Sequence, residues 1–212
     1  PKRMTQSGLI SPKAMKFATY LVFFLAILLG SYLIYYGGWA ILLIGICAIF
    51  FGFIYTAGPY ALAYIGGAEF VAYVFFGPIS VIGTYYLQTF TWNFDLFLIG
   101  SSVGLIAAAL LVVNNTRDIE TDKAANRKTF AVRFGRLFSY FEFIFCVYVP
   151  IIILDLVTIH SSDQMLALFL LVAVAFLLTR KFSKAQGPQF NRLLGFTSLF
   201  LIFYTVVAIY LI

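Results

Sequence analysis

The stretch Asn114-Asn115-Thr116-Arg117-Asp118-Ile119-Glu120-Thr121-Asp122-Lys123-Ala124-Ala125-Asn126-Arg127-Lys128-Thr129 concentrates the side chains best suited to chemistry. Asn114, Asp118 and Asp122 recur every fourth residue, so in a helix they share one face. Two carboxylates one turn apart repel each other unless a cation lies between or beside them. Oxygen donors of this kind suit Mg²⁺, and Arg117, Lys123, Arg127 and Lys128 surround them. Carboxylates for a divalent cation, together with fixed positive charges, are what a diphosphate requires. A solvated charged loop is the competing reading of the same residues.

A second segment, Tyr55-Thr56-Ala57-Gly58-Pro59-Tyr60-Ala61-Leu62-Ala63-Tyr64-Ile65-Gly66-Gly67-Ala68-Glu69, is too apolar for an ordinary loop. It reads as a re-entrant or capping element that lines a cavity, with an interfacial aromatic belt as the alternative. Tyr55, Tyr60 and Tyr64 offer hydroxyls or π-faces to a cation. Glu69 closes the segment, placed either to pair with a loop arginine or to act on a substrate proton. The start of the chain, Lys2-Arg3-Met4-Thr5-Gln6-Ser7-Gly8, is polar and basic.

The elements that position these groups follow from composition. The chain has 212 residues, 63% hydrophobic and 10% charged, with mean hydropathy +1.00. Soluble domains average about 45–50% apolar and about 25% charged residues. A soluble α/β enzyme, a disordered chain and a nucleic-acid-binding domain are therefore excluded, and so is a nucleic-acid partner. Seven continuous apolar stretches approach the roughly 20 residues that a helix needs to cross a bilayer: 15–36, 39–56, 69–89, 95–115, 138–159, 163–180 and 192–212. Their continuity excludes a β-barrel, which alternates apolar and polar residues. The expected fold class is an all-α, polytopic transmembrane bundle forming one domain. Breaks are expected at Gly37-Gly38, at Gly58-Pro59 and in the polar stretch 114–137, with kinks at Pro78 and Pro150. Cys47 and Cys146 lie in apolar runs and read as packing residues.

With the N-terminus on the cytoplasmic side, all 14 Lys and Arg residues fall on that side. This is the distribution that the positive-inside rule favours. The net charge of +6 then reports orientation rather than an acidic partner. The expected location is a multi-pass protein of the inner, cytoplasmic membrane, with the polar loops facing the cytoplasm. The basic stretch from Arg180 to Arg192 reads as an ordinary loop of this kind. Glu142, near the same interface, is expected to snorkel or to pair with Arg133 or Arg136.

Asn114-Asn115-x-Arg117-Asp118-x-x-x-Asp122, followed by Arg127-Lys128-Thr129-Phe130-Ala131-Val132-Arg133-Phe134-Gly135, resembles the second aspartate-rich motif of the UbiA-type intramembrane prenyltransferases. Within them it is most similar to the branch that prenylates 1,4-dihydroxy-2-naphthoate in menaquinone synthesis. The Tyr55 to Glu69 segment and the Lys2 to Gly8 stretch resemble other parts of the same family. The resemblance implies a Mg²⁺-dependent enzyme that takes a polyprenyl diphosphate and an aromatic acid. It transfers the polyprenyl group with loss of CO₂ to give demethylmenaquinone. It also implies catalytic and metal-binding roles for Asp118 and Asp122, with Asn114 beside the metal, and diphosphate binding by Arg117, Lys123, Arg127, Lys128 and Arg3. Tyr55, Tyr60, Tyr64, Glu69 and Asn115 would line the substrate. Family members have nine helices and a first aspartate-rich motif that this sequence lacks. The expectation is therefore a chain without its N-terminal part, holding half of the metal–diphosphate site and inactive by itself, so that the implied activity belongs to the intact enzyme. Two alternatives stay open: a family member acting on 4-hydroxybenzoate or a tetrapyrrole, and a transporter. Against the transporter, no internal repeat is evident and the polar groups gather at one face.

Overall fold

Backbone amides inside a bilayer have no water to bond, so continuous apolar runs close their hydrogen bonds within helices. The computed structural model follows this rule and describes residues 8–56, 61–158 and 162–212. Among those residues the regular structure is entirely helical: α1 (Pro12–Thr56), α2 (Leu62–Ile65), α3 (Ala68–Phe76), α4 (Pro78–Thr89), α5 (Phe94–Arg117), α6 (Ile119–Ala124), α7 (Phe130–Val157), α8 (Ser162–Lys184) and α9 (Gln189–Leu211). Six stretches are long and apolar enough to cross a membrane, with α3 and α4 counted together. Large apolar side chains such as Leu156, Ile209 and Phe169 are more than two-thirds exposed, which suits a surface solvated by lipid rather than water.

The chain divides into two compact units, Pro1–Phe50 and Phe51–Ile212. The first is built on α1, whose 45 residues would measure about 67 Å as one straight helix. That is over twice the ~30 Å hydrocarbon core. The backbone leaves helical angles at Gly38, with φ 68° and ψ −153°, a region open essentially to glycine alone. The expected spans 15–36 and 39–56 therefore lie on either side of the predicted break, within one long element. This accounts for six long stretches where seven were expected.

In the second unit α5 packs against α3, α4, α7 and α9, and α8 packs against α7 and α9. Its core includes Ile106, Val113, Phe143, Leu171, Phe182 and Tyr204, each fully buried. Phe143 and Phe182 stack with ring centres 4.7 Å apart. Cys146 belongs to this core, as a packing residue would. The Tyr204 hydroxyl donates to the Pro150 carbonyl at 2.8 Å, which supplies the partner that a buried phenol needs.

The predicted kink at Pro78 is present: the run 69–89 breaks at Gly77 into α3 and α4, with Pro78 at the first helical position. Pro150 lies inside α7. In α7 the backbone leaves helical angles at Gly135, with φ 78° and ψ 178°. That helix also starts at Phe130, eight residues before the expected span, because Thr129 caps it by accepting from the Val132 amide at 3.3 Å. The expected pairing of Glu142 with Arg133 or Arg136 is not found among the described residues. Arg133 Nη2 donates to the Ile65 carbonyl at 2.7 Å, and Arg136 Nη2 donates to the Ala185 carbonyl at 2.6 Å. Both arginines are thus committed to backbone oxygens, which at helix and turn ends are otherwise unsatisfied.

Gly77 and Gly104 allow α3, α4 and α5 to meet backbone to backbone. A Cβ on Gly104 would lie 2.3 Å from the Tyr73 carbonyl oxygen, and one on Gly77 would lie 2.6 Å from Gly104 Cα. Such small-residue contacts are a main source of helix association in lipid. Gly104→Ala is therefore expected to destabilise the protein by about 1–3 kcal/mol, read as a lower thermal midpoint in detergent. Gly195→Ala, where a Cβ would meet nothing within 4 Å, should leave the midpoint unchanged.

Candidate active site

The polar segment begins where α5 leaves the apolar core. The amide of Asp118 bonds the Asn114 carbonyl at 3.1 Å, and the amide of Asp122 bonds the Asp118 carbonyl at 2.8 Å. The four-residue rhythm therefore survives the junction between α5 and α6, even though Asp118 itself has φ −97° and ψ 11°. Helical continuity is what carries Asn114, Asp118 and Asp122 along one side.

Each carboxylate has its own arginine. Arg117 donates through Nε to Asp118 Oδ1 and through Nη2 to Asp118 Oδ2, both at 2.8 Å. Nη2 also donates to Asn114 Oδ1 at 2.6 Å, and Nη1 donates to Asn191 Oδ1 at 2.7 Å. This fork holds Asp118 in two hydrogen bonds and ties the end of α5 to the start of α9. Asp122 is buried and accepts from Arg127 Nη1 at 3.0 Å. The Arg127 guanidinium lies 4.6 Å from the centre of the Tyr64 ring. Lys123 and Lys128 are exposed, with no acidic partner among the described residues.

The second predicted segment meets the first. The Lys128 amide donates to the Tyr64 carbonyl at 2.6 Å, and Arg133 holds the neighbouring Ile65 carbonyl. Glu69, in the first turn of α3, is buried and accepts from Asn115 Nδ2 at 2.5 Å; its second carboxylate oxygen, Oε2, has no hydrogen-bond partner among the described residues. Of the two roles open for Glu69, pairing is observed, but with Asn115 rather than with an arginine. Tyr55 is half-buried at the end of α1. Arg3 and Tyr60 lie outside the described residues, as does the Gly58-Pro59 break.

The structure thus gathers Asn114, Asn115, Arg117, Asp118, Asp122, Arg127, Lys128, Tyr64 and Glu69 at one end of the second unit. It adds Asn191, Arg133 and Thr129, to which sequence reasoning gave no role at this site. Thr129 was legible as a cap, being a threonine just before an apolar run. Asn191 carried no comparable signal, because its stretch read as an ordinary basic loop.

Among the described residues no three His, Cys, Asp or Glu side chains form a metal cluster. The donor set nonetheless fits Mg²⁺. That ion is commonly held by one or two carboxylates completed by water and substrate phosphates. Asp118 and Asp122 keep lone pairs beyond those engaged by their arginines.

These features define an all-α membrane protein with a polar, cation-rich site at the end of its central helix. The UbiA prenyltransferase family model matches residues 1–203, and the chain belongs to that family. It is 39% identical over 141 residues to the 1,4-dihydroxy-2-naphthoate octaprenyltransferase of Haemophilus influenzae, covering 64% of this chain and 46% of that protein. It is 34% identical over 143 residues to the enzyme of the same name from Escherichia coli, covering 65% and 46%. It is 35% identical over 98 residues to the 2-carboxy-1,4-naphthoquinone phytyltransferase of Synechocystis, covering 46% and 32%. The match spans less than half the length of each of these relatives.

The pairing of buried Asp122 with Arg127 generates a prediction. Removing one member of a buried ion pair strands the other and costs about 3–5 kcal/mol. Arg127→Ala should lower the unfolding midpoint sharply, and adding Asp122→Asn should recover most of the loss. Additive effects in this double-mutant cycle would show that the pair is not coupled.

Proposed function

We propose that the protein transfers a polyprenyl group from a polyprenyl diphosphate to 1,4-dihydroxy-2-naphthoate, with loss of CO₂, at the cytoplasmic face of the inner membrane. The observation that carries this reading is the pair of carboxylates one helical turn apart, each held by its own arginine, with two lysines beside them that have no acidic partner among the described residues. The names of the relatives support the naphthoate acceptor. The one-sided placement of all 14 basic residues in the sequence supports the orientation.

The bonds balance without an oxidant. The allylic C–O bond breaks, and its electron pair leaves with the diphosphate. The ring carbon bearing the carboxylate bonds to the allylic carbon. The bond to the carboxylate then breaks, CO₂ departs, and the returning pair restores the aromatic ring. The immediate product is the quinol, demethylmenaquinol; demethylmenaquinone forms from it by a separate two-electron oxidation.

Within this scheme Arg117 and Arg127 orient Asp118 and Asp122 and, together with Lys123 and Lys128, hold diphosphate oxygens. Arg3 would add a further cation to the diphosphate. Mg²⁺ bound by Asp118 and Asp122, with Asn114 beside them, would neutralise charge as the diphosphate leaves. Tyr55, Tyr60, Tyr64, Glu69 and Asn115 are assigned to the acceptor and the developing cation. An environment that excludes water keeps that cation from being quenched.

Asp118→Ala tests the reading. Asn114 and Asn191 still hold Arg117 in the variant, so the protein should stay folded while prenyl transfer falls by about 100-fold or more. Near-normal turnover at saturating Mg²⁺ would contradict the role of Asp118. Arg117→Ala is expected to raise the KM for the prenyl diphosphate more than that for the acceptor; the reverse pattern would contradict its assignment. In a panel of naphthoate, 4-hydroxybenzoate and a tetrapyrrole with one prenyl donor, only the naphthoate should be prenylated.

A further inference from the structure

Where the end of α8 meets the start of α9, a cleft of about 450 Å³ opens between the helices. Arg180, Lys181, Lys184 and Arg192 line it, and no acidic residue does. None of these four cations has an acidic partner among the described residues. Two of them instead face aromatic rings: the Arg180 guanidinium lies 5.6 Å from the centre of Phe176, and Lys181 Nζ lies 3.9 Å from the centre of Phe196. Leu177 and Phe196 add an apolar wall, and they are 56% and 42% exposed.

Orientation alone asks only that basic residues stay on one side. It does not ask them to converge on a concave surface. Complementing the C-terminus of α8 accounts for Lys181 and Lys184, which lie in its last turn. It leaves Arg180, one turn earlier, and Arg192, on the next helix, unexplained. Four convergent cations beside an exposed apolar wall, at the ends of two membrane-spanning helices, match an amphiphile with an anionic head and a hydrocarbon tail.

We propose that this cleft binds an anionic glycerophospholipid, its phosphate among Arg180, Lys181, Lys184 and Arg192 and an acyl chain against Leu177 and Phe196. Basic pockets between transmembrane helices take such head groups by charge, with the surrounding bilayer supplying the tail. The proposal uses only the membrane placement of the chain, so it stands or falls apart from the prenyl-transfer reading. The side chains are exposed, so the preference for the anionic lipid should weaken as salt rises.

The test incubates the purified 212-residue protein in detergent with equal amounts of phosphatidylglycerol and phosphatidylcholine carrying the same acyl chains. Retained lipid is counted by native mass spectrometry. The expected result is a preference for phosphatidylglycerol of about tenfold or more. Lys181→Gln/Lys184→Gln should reduce it by about fivefold or more, since each cation near the surface is worth about a fivefold preference. Lys13→Gln/Lys16→Gln removes the same charge from exposed positions in α1 and should leave it intact. Should the first double variant fold poorly, the single exposed change Lys184→Gln is expected to lower the preference on its own. Equal retention of the two lipids, an unchanged preference in the cleft variants, or an equal loss in the α1 variant would overturn the proposal. So would complete displacement of phosphatidylglycerol by millimolar inorganic phosphate, which would assign the cleft to a soluble anion.

Discussion

Helices immersed in lipid gain little hydrophobic advantage by touching one another, because the acyl chains around them are as apolar as leucine. Close backbone contact has to supply what water would otherwise drive. Here that contact is made where Gly77 and Gly104 bring the α3–α4 turn against α5. Bulk at either glycine would drive α3 outward. The hydrogen bond between Glu69 and Asn115, two turns along α3 from Gly77, depends on the same spacing. That bond fixes the entry of α3 beside the exit of α5, and the Tyr64–Lys128 and Ile65–Arg133 contacts extend the join along the chain.

Charge is the second demand on the fold. At about 4 Å, opposite charges attract by roughly 4 kcal/mol in a medium of effective dielectric 20, enough to matter only if the ions lose little hydration. Asp118 is about one-third exposed and keeps some water. Asp122 is buried and relies more heavily on Arg127. The Tyr64 ring beneath Arg127 gives that cation a face to rest on when its partner is masked from solvent. Arg117 does more than neutralise Asp118. By reaching Asn114 and Asn191 as well, it joins the ends of α5 and α9.

The membrane class and nearly every span were legible in the sequence, because continuous apolar runs admit one backbone solution. The first carboxylate segment was legible as well, through the spacing of Asn114, Asp118 and Asp122. The partners of those carboxylates were not. Arg117 and Arg127 read as cations around a diphosphate, and the structure adds that each bonds one aspartate, while Lys123 and Lys128 have no acidic partner among the described residues. Asn191 lies 74 residues from Arg117, and no local pattern announces a contact at that distance. Gly135 carried no signal either, yet the backbone departs from the helix there, where glycine tolerates angles closed to other residues.

Prenyl transfer at the paired carboxylates is the central claim, and the coupled release of two small products tests it most directly. The protein at its natural full length, in phospholipid vesicles, is supplied with Mg²⁺, a polyprenyl diphosphate and 1,4-dihydroxy-2-naphthoate carrying labelled carbon in its carboxylate. Inorganic diphosphate and labelled CO₂ should appear in equal amounts and at equal rates, both absent without Mg²⁺. Recovery of the polyprenyl diphosphate intact, or release of diphosphate without CO₂, would contradict the account.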